Sequence, residues 1–177
     1  GYFGGVVDSV IMRTLDIFMS VPDILFTMAV VVALGSNFTN LLIALTLAYF
    51  TNYVRLVRSQ VLNLSELEYV EAARAGGSGN VRIILSHIIP NAVGVIIVNV
   101  TLNIAKIIIY ESTLSFLGLG MPPPQPEWGL MLSEAREFMR KAPFLLFYPA
   151  LAIVLCACSV NLVGDGLRDA LDPHLKS

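Results

Sequence analysis

Residues 83–105 read IILSHIIPNAVGVIIVNVTLNIA, a run of 23 positions without Asp, Glu, Lys or Arg. About 20 predominantly apolar residues cross the hydrocarbon layer of a bilayer as a helix, so this stretch reads as membrane-spanning. On either side of it, residues 24–54 and 142–164 are also free of formal charge. The first of these is too long for one span, and Gly35-Ser36-Asn37 with Asn40 divides it into two helices. The resulting expectation is an all-α polytopic transmembrane bundle with four spans, at about 12–34, 38–58, 88–110 and 143–165. The composition agrees. Of the 177 residues, 56% are hydrophobic and 14% charged, against about 25% charged in an ordinary soluble domain, and the mean hydropathy is +0.76.

Charge separates the two sides. Eleven Lys and Arg nearly balance thirteen Asp and Glu, for a net charge of -2, which gives no electrostatic basis for binding nucleic acid. The link between the second and third spans carries Arg55, Arg58, Arg74 and Arg82. The positive-inside rule makes the 59–87 loop cytoplasmic and puts Arg13, Arg168 and Lys176 on the same side. The 111–142 loop then faces outward. It contains the stiff segment Pro122-Pro123-Pro124-Gln125-Pro126 and, over 127–141, the pattern of a short amphipathic helix on the outer surface. The chain opens on Gly1 without a basic leader pattern and reads as the C-terminal part of a longer integral membrane protein.

The inner loop is the most informative segment. Ser65-Glu66-Leu67-Glu68 fits a capping box, with Ser65 as N-cap and Leu64 and Tyr69 placed as a hydrophobic staple. In the short helix beyond it, Leu67 and Val70 share a face and Glu71 can pair with Arg74. Gly76-Gly77 stops it. Asn80 is expected to cap the next helix, which meets Pro90 as the first residue of the third span. A short rigid helix held between two spans is either a connector or a ridge shaped for a groove on a soluble partner.

Glu71-Ala72-Ala73, then Gly77, then Pro90 resembles the EAA loop of ABC importer permeases. Residues Glu68–Ala75 continuing through His87-Ile88-Ile89-Pro90-Asn91 are similar to the peptide and nickel branch of that family. So are Leu114–Gly120 with Pro122-Pro123 and Trp128-Gly129, Asn161–Asp169 with Leu171-Asp172-Pro173, and Gly1–Gly5 with Arg13, Asp16 and Pro22. The resemblance covers essentially the whole chain, 1–177. It implies a type I permease fold in the inner, cytoplasmic membrane. It also implies a transport subunit rather than an enzyme, moving di- or oligopeptides, or alternatively nickel or another small solute. The implied partners are two ABC ATPases, which use ATP and Mg, a second related permease, and an extracytoplasmic solute-binding protein. The implied coupling residues are Glu71, Ala72, Ala73 and Gly77, with Leu67 and Val70. Gly76 stands where the family carries a larger apolar residue, so the coupling helix is expected to fray at this end. The chain contains no Gly-x-x-x-x-Gly-Lys-Ser/Thr phosphate loop, so ATP hydrolysis is expected on a separate chain or domain and no cofactor is expected on this one.

Polar groups inside spans need partners or a purpose. Asn99, Asn103, Lys106 and Tyr110 follow i, i+4, i+7, i+11 and share one face of the third span. Two readings fit this stripe. It lines a translocation pathway, or it hydrogen-bonds between helices while Lys106 snorkels towards Glu111. In the first span Arg13 can pair with Asp16, and Asp23 follows Pro22 at a helix restart. An ion-coupled carrier or channel using Lys106, Glu111 and Asp23 would explain the charges but not the inner loop. An ATPase-docking anchor without a pathway would leave the third span sealed from water. Cys156 and Cys158 lie about 200° apart on a helix and cannot share a face. His87 reads as interfacial packing and His174 lies in the tail, so no metal site is expected.

Overall fold

A computed structural model describes residues 1–171. His174, Lys176 and the Asp172-Pro173 part of the last similar segment lie outside the described residues. The described chain is helical: α1 (Gly5–Met19), α2 (Asp23–Leu34), α3 (Phe38–Ser65), α4 (Glu68–Ala75), α5 (Asn80–Ile83), α6 (Ile89–Phe116), α7 (Trp128–Ala135) and α8 (Phe144–Leu171). A π-helical turn, Ile84–Ile88, fuses α5 to α6, so Asn80–Phe116 forms one 37-residue rod. Three helical stretches, α3, this rod and α8, are long and apolar enough to cross a membrane, and α1 with α2 makes a fourth if the bent pair is one span.

The first expected span, 12–34, is corrected to two helices meeting at an angle of 81°. The cause is Pro22. It holds the extended conformation at the junction (φ -55°, ψ 134°), cannot donate a backbone hydrogen bond, and disfavours helix in the residue before it. The break at Gly35-Ser36-Asn37 is observed. The Asn37 side chain accepts from the Asn40 amide at 2.9 Å, while Asn40 Nδ2 donates to the carbonyls of Leu34 (2.6 Å) and Gly35 (2.9 Å). Asn40 thus closes the end of α2 while Asn37 caps the start of α3, and the two helices fold back on each other.

The capping box is not formed. α3 continues through Ser65, whose hydroxyl bonds back to the Val61 carbonyl, and Leu67 rather than Ser65 precedes α4. Packing overrides the local signal here, because Val61 and Leu64 on the last turns of α3 rest against the buried cluster Val70, Ile83 and Ile88. Asn80 is likewise no cap. It is the first residue of α5, and its Oδ1 accepts from the Tyr2 hydroxyl at 3.1 Å. Pro90 lies in the first turn of α6, as expected, although the helix before it runs on through the π turn.

Two ion pairs tie α1 to α3. Arg58 grips Asp8 with Nε and Nη2 at 2.6–3.0 Å, and Arg55 Nη2 reaches Asp16 at 2.7 Å. The expected Arg13–Asp16 pair is therefore replaced by one 39 residues apart in sequence. A second apolar cluster, Val31, Leu41, Ala44, Leu45 and Leu114, joins α2, α3 and α6. The most extensive helix pairing is α6 with α8. It closes on Gly164, where a Cβ would lie 2.7 Å from Leu102 Cδ2, the use of small residues by which membrane helices approach closely. On α6 and α8, Ile97, Leu155 and Leu162 are exposed, as expected of surface that meets lipid.

Candidate functional site

The short helix α4 is built to be seen from outside. Val70 is fully buried on Ile83 and Ile88, with Ala73 packed beside them, and anchors the helix. Leu67, Glu68, Tyr69, Glu71 and Ala72 are exposed. Leu67 and Val70, expected to share a docking face, are therefore divided between surface and core. The end of α4 is held by two hydrogen bonds, Ser78 N to Ala73 O (3.0 Å) and Gly77 N to Arg74 O (3.1 Å), a Schellman motif. It requires the left-handed backbone of Gly77 (φ 80°). Gly76 lies just past the last helical residue, Ala75, and keeps the hydrogen bond to Ala72 O at 2.9 Å. Glu71 and Arg74 form no ion pair among the described residues. Both are left facing outward. His87 lies beside Tyr69, ring centres 6.2 Å apart, which is the packing role expected of it.

The polar stripe on α6 is divided by its surroundings. Asn103 sits beside Tyr53 of α3. Tyr110 packs edge-on against Tyr49 at 5.8 Å, and its buried hydroxyl has no hydrogen-bond partner. Asn99 spends its amide on its own helix, at Val95 O, and Lys106 is exposed. Lys106 makes no ion pair with Glu111 among the described residues, so the snorkelling contact is not made. Between α3 and α6 runs a groove holding two cavities that share Leu42, Leu45 and Ile107. One of about 530 Å³ reaches Glu111, Glu127 and Trp128, and one of about 270 Å³ reaches Tyr49 and Tyr53.

The corner above the larger cavity escaped sequence reasoning. A second Schellman motif ends α6, with Leu119 N to Leu114 O and Gly118 N to Ser115 O, both 2.9 Å. Glu127 precedes α7 but does not cap it. Its Oε2 turns back to accept from Ser115 Oγ (2.5 Å) and from the Met121 amide (3.1 Å). A Cβ on Gly120 or Gly129 would come within 2.7 Å of Ser115 Cβ, so the segment lies directly on α6. The signal was available in Gly120, Glu127 and Gly129, whose spacing from Ser115 is meaningful only once the loop is folded back.

The fold and these two corners define a class: an all-helical, multi-span membrane subunit with one short helix displayed on a loop between spans. The model of the family described as "Binding-protein-dependent transport system inner membrane component" matches residues 1–177, and the chain belongs to that family. It is 45% identical over 177 residues to a dipeptide transport system permease protein (DppC) of Alkalihalophilus pseudofirmus, covering all of this chain and 58% of that protein. To a glutathione transport system permease protein (GsiD) of Pectobacterium atrosepticum it is 46% identical, covering all of the chain and 59% of that protein. A DppC of Haemophilus influenzae is 43% identical over 99% of the chain and 60% of its own length. The chain thus spans about three-fifths of the curated relatives it matches. The family description and the apolar helices together place it in the inner membrane.

Proposed function

We propose that this chain is the pathway-forming part of a permease subunit in an ATP-driven importer of di- or oligopeptides. The observation that carries this reading is α4, seated by Val70, locked by the Gly77 motif and presenting Leu67, Tyr69 and Glu71 to solvent. An exposed ridge of this kind suits a groove on a soluble partner. In the proposed complex, two ATPases bind and hydrolyse MgATP, and their closure displaces α4. A second, related permease completes the pathway, and a solute-binding protein delivers peptide at the 111–142 face. Glu71, Ala72, Ala73 and Gly77 transmit the movement. The peptide assignment is supported by relatives named for dipeptide and glutathione transport, and these give no support to the nickel alternative. The α3–α6 groove, whose cavities reach Tyr49, Tyr53 and Glu111, is the part of this chain best suited to line the pathway.

The test is Glu71→Ala in the full-length permease, reconstituted with its co-purifying ATPases in proteoliposomes. Loss of a central docking contact of about 2 kcal/mol weakens docking roughly thirtyfold. Peptide uptake is expected to collapse while membrane insertion is unchanged and ATP hydrolysis no longer responds to peptide-loaded binding protein. Uptake at the wild-type rate would overturn the coupling role of α4.

A further inference from the structure

Helix α1 divides its surface three ways. At about 100° per residue, Asp8, Met12, Leu15 and Met19 form one stripe. This is the face the fold covers, with Leu15 buried and the other three partly so. Val6, Val7, Val10, Ile11, Ile17 and Phe18 make a second, apolar arc, 49–79% exposed. Thr14 falls on the same arc but spends its hydroxyl on the Val10 carbonyl, 3.0 Å away. The third arc is polar: Ser9, Arg13 and Asp16, all exposed.

Neither water nor hydrocarbon suits all three arcs. Six exposed apolar side chains make a patch that water disfavours, and exposed charges are costly in lipid. In the Asp16–Arg55 pair both side chains stay about half exposed, at 50% and 46%. The direction of the helix fits the same boundary. It meets α2 at 81°, and α2 packs along α3. The ion pairs agree. Asp8 and Asp16 are about 12 Å apart along α1, whereas their partners Arg58 and Arg55 are about 4.5 Å apart along α3. Parallel helices would match those spacings, so α1 crosses α3, at the end that the positive-inside rule makes cytoplasmic.

An apolar face, a charged face and a course across the spans are the marks of a helix lying in the plane of a membrane interface. We propose that α1 is an interfacial helix of the inner leaflet rather than the first half of a broken span. Its apolar arc is sunk into the headgroup–acyl boundary, and Arg13 and Asp16 turn to water and lipid headgroups. This anchorage reaches the coupling corner. Just before α1, the Tyr2 hydroxyl donates to Asn80, and Tyr2 packs against the cluster of Val70, Ile83 and Ile88. The lipid surface thus sets the height at which α4 is displayed. That consequence rests on the docking role proposed for α4, whereas the placement of α1 does not.

Nitroxide labels on single cysteines measure the depth directly. The full-length permease, its native cysteines replaced by serine, is reconstituted with its co-purifying ATPases in phosphatidylethanolamine–phosphatidylglycerol vesicles. Labels at Val6→Cys, Val10→Cys and Ile17→Cys are expected to collide with oxygen more than with a water-soluble nickel chelate, all at one shallow depth of about 5–10 Å. Ser9→Cys and Arg13→Cys should show the reverse preference. A transmembrane α1 would separate the labels at 6 and 17 by roughly 16 Å of depth, and that gradient overturns the proposal. Shielding of positions 6, 10 and 17 from both reagents overturns it too, because protein rather than lipid then covers the arc. Val7, Ile11 and Phe18 lie on the same arc and replace any position whose variant does not assemble. Depth is read without transport, so the outcome stands apart from the coupling role of α4.

Discussion

At Gly77 and at Gly118 the chain leaves a helix in the same way, with two backbone hydrogen bonds closed around a glycine in the left-handed region. Beyond Gly77 the chain meets nothing that restricts it: a Cβ on Gly77 or Gly79 would find open space. Just before that turn, α4 keeps only Val70 fully inward and leaves its acidic side chains in solvent. Beyond Gly118 the chain instead doubles back, so that Gly120 and Gly129 have no room for a methyl group and Glu127 is drawn inward. Identical backbone chemistry therefore serves display at one corner and closure at the other. The flanking residues decide the outcome: exposed charge at α4, and two close-packed glycines with an inward carboxylate at the 117–129 corner.

Substitutions at the two corners should separate them by size of effect. Gly129→Val adds bulk where even a Cβ collides with Ser115, and overpacking of this kind costs about 3 kcal/mol or more; a large drop in the thermal unfolding temperature of the detergent-solubilised permease would show it. Val70→Ala removes the buried anchor of α4 and is expected to cost about 2 kcal/mol, read as faster proteolysis near residues 66–79 with the spans intact. Smaller again is Gly77→Ala, where space is free but the left-handed backbone disfavours a side chain by about 1 kcal/mol. Gly76→Ala should reverse the sign. Its backbone has a negative φ that an alanine accepts (φ -73°, ψ 5°), and a Cβ there would lie 3.4 Å from the Ala72 carbonyl oxygen, an ordinary contact. Alanine then stabilises by about 0.5 kcal/mol through the unfolded chain. Equal effects at Gly129 and Gly77 would erase the distinction between a closed and a displayed corner.

Signals that act within a few residues were legible in the sequence. The Asn37–Asn40 break, the glycine stop after α4 and the apolar spans all depend on chemistry local to the residues that show it. Ser65 is the instructive exception. Its capping pattern is as local as the others, yet burial of Val61 and Leu64 carried α3 past it. Pro22 was visible as a restart, but the 81° bend depends on where α1 is held, and Asp8–Arg58 and Asp16–Arg55 hold it from 50 and 39 residues away. A short helix ahead of Gly76-Gly77 was legible and is observed at Glu68–Ala75, but that Val70 would turn inward while Leu67 stays exposed was not. In the stripe, helical spacing groups four side chains along α6. It carried no information on which of them would meet α3, because that depends on Tyr49 and Tyr53 across the groove.

The unbroken rod from Asn80 to Phe116 has a mechanical meaning. With 37 residues at about 1.5 Å each, it is roughly 55 Å long, more than the full thickness of a bilayer with its headgroups. Val70 grips it at Ile83 and Ile88, and the 117–129 corner rides on its other end. A stiff lever of that length converts a tilt of about 5° at its gripped end into a sweep of about 5 Å at the far one, close to a full helical pitch. A tilt imposed at Ile83 and Ile88 would thus reach Ser115 as displacement, with no relay of side chains between.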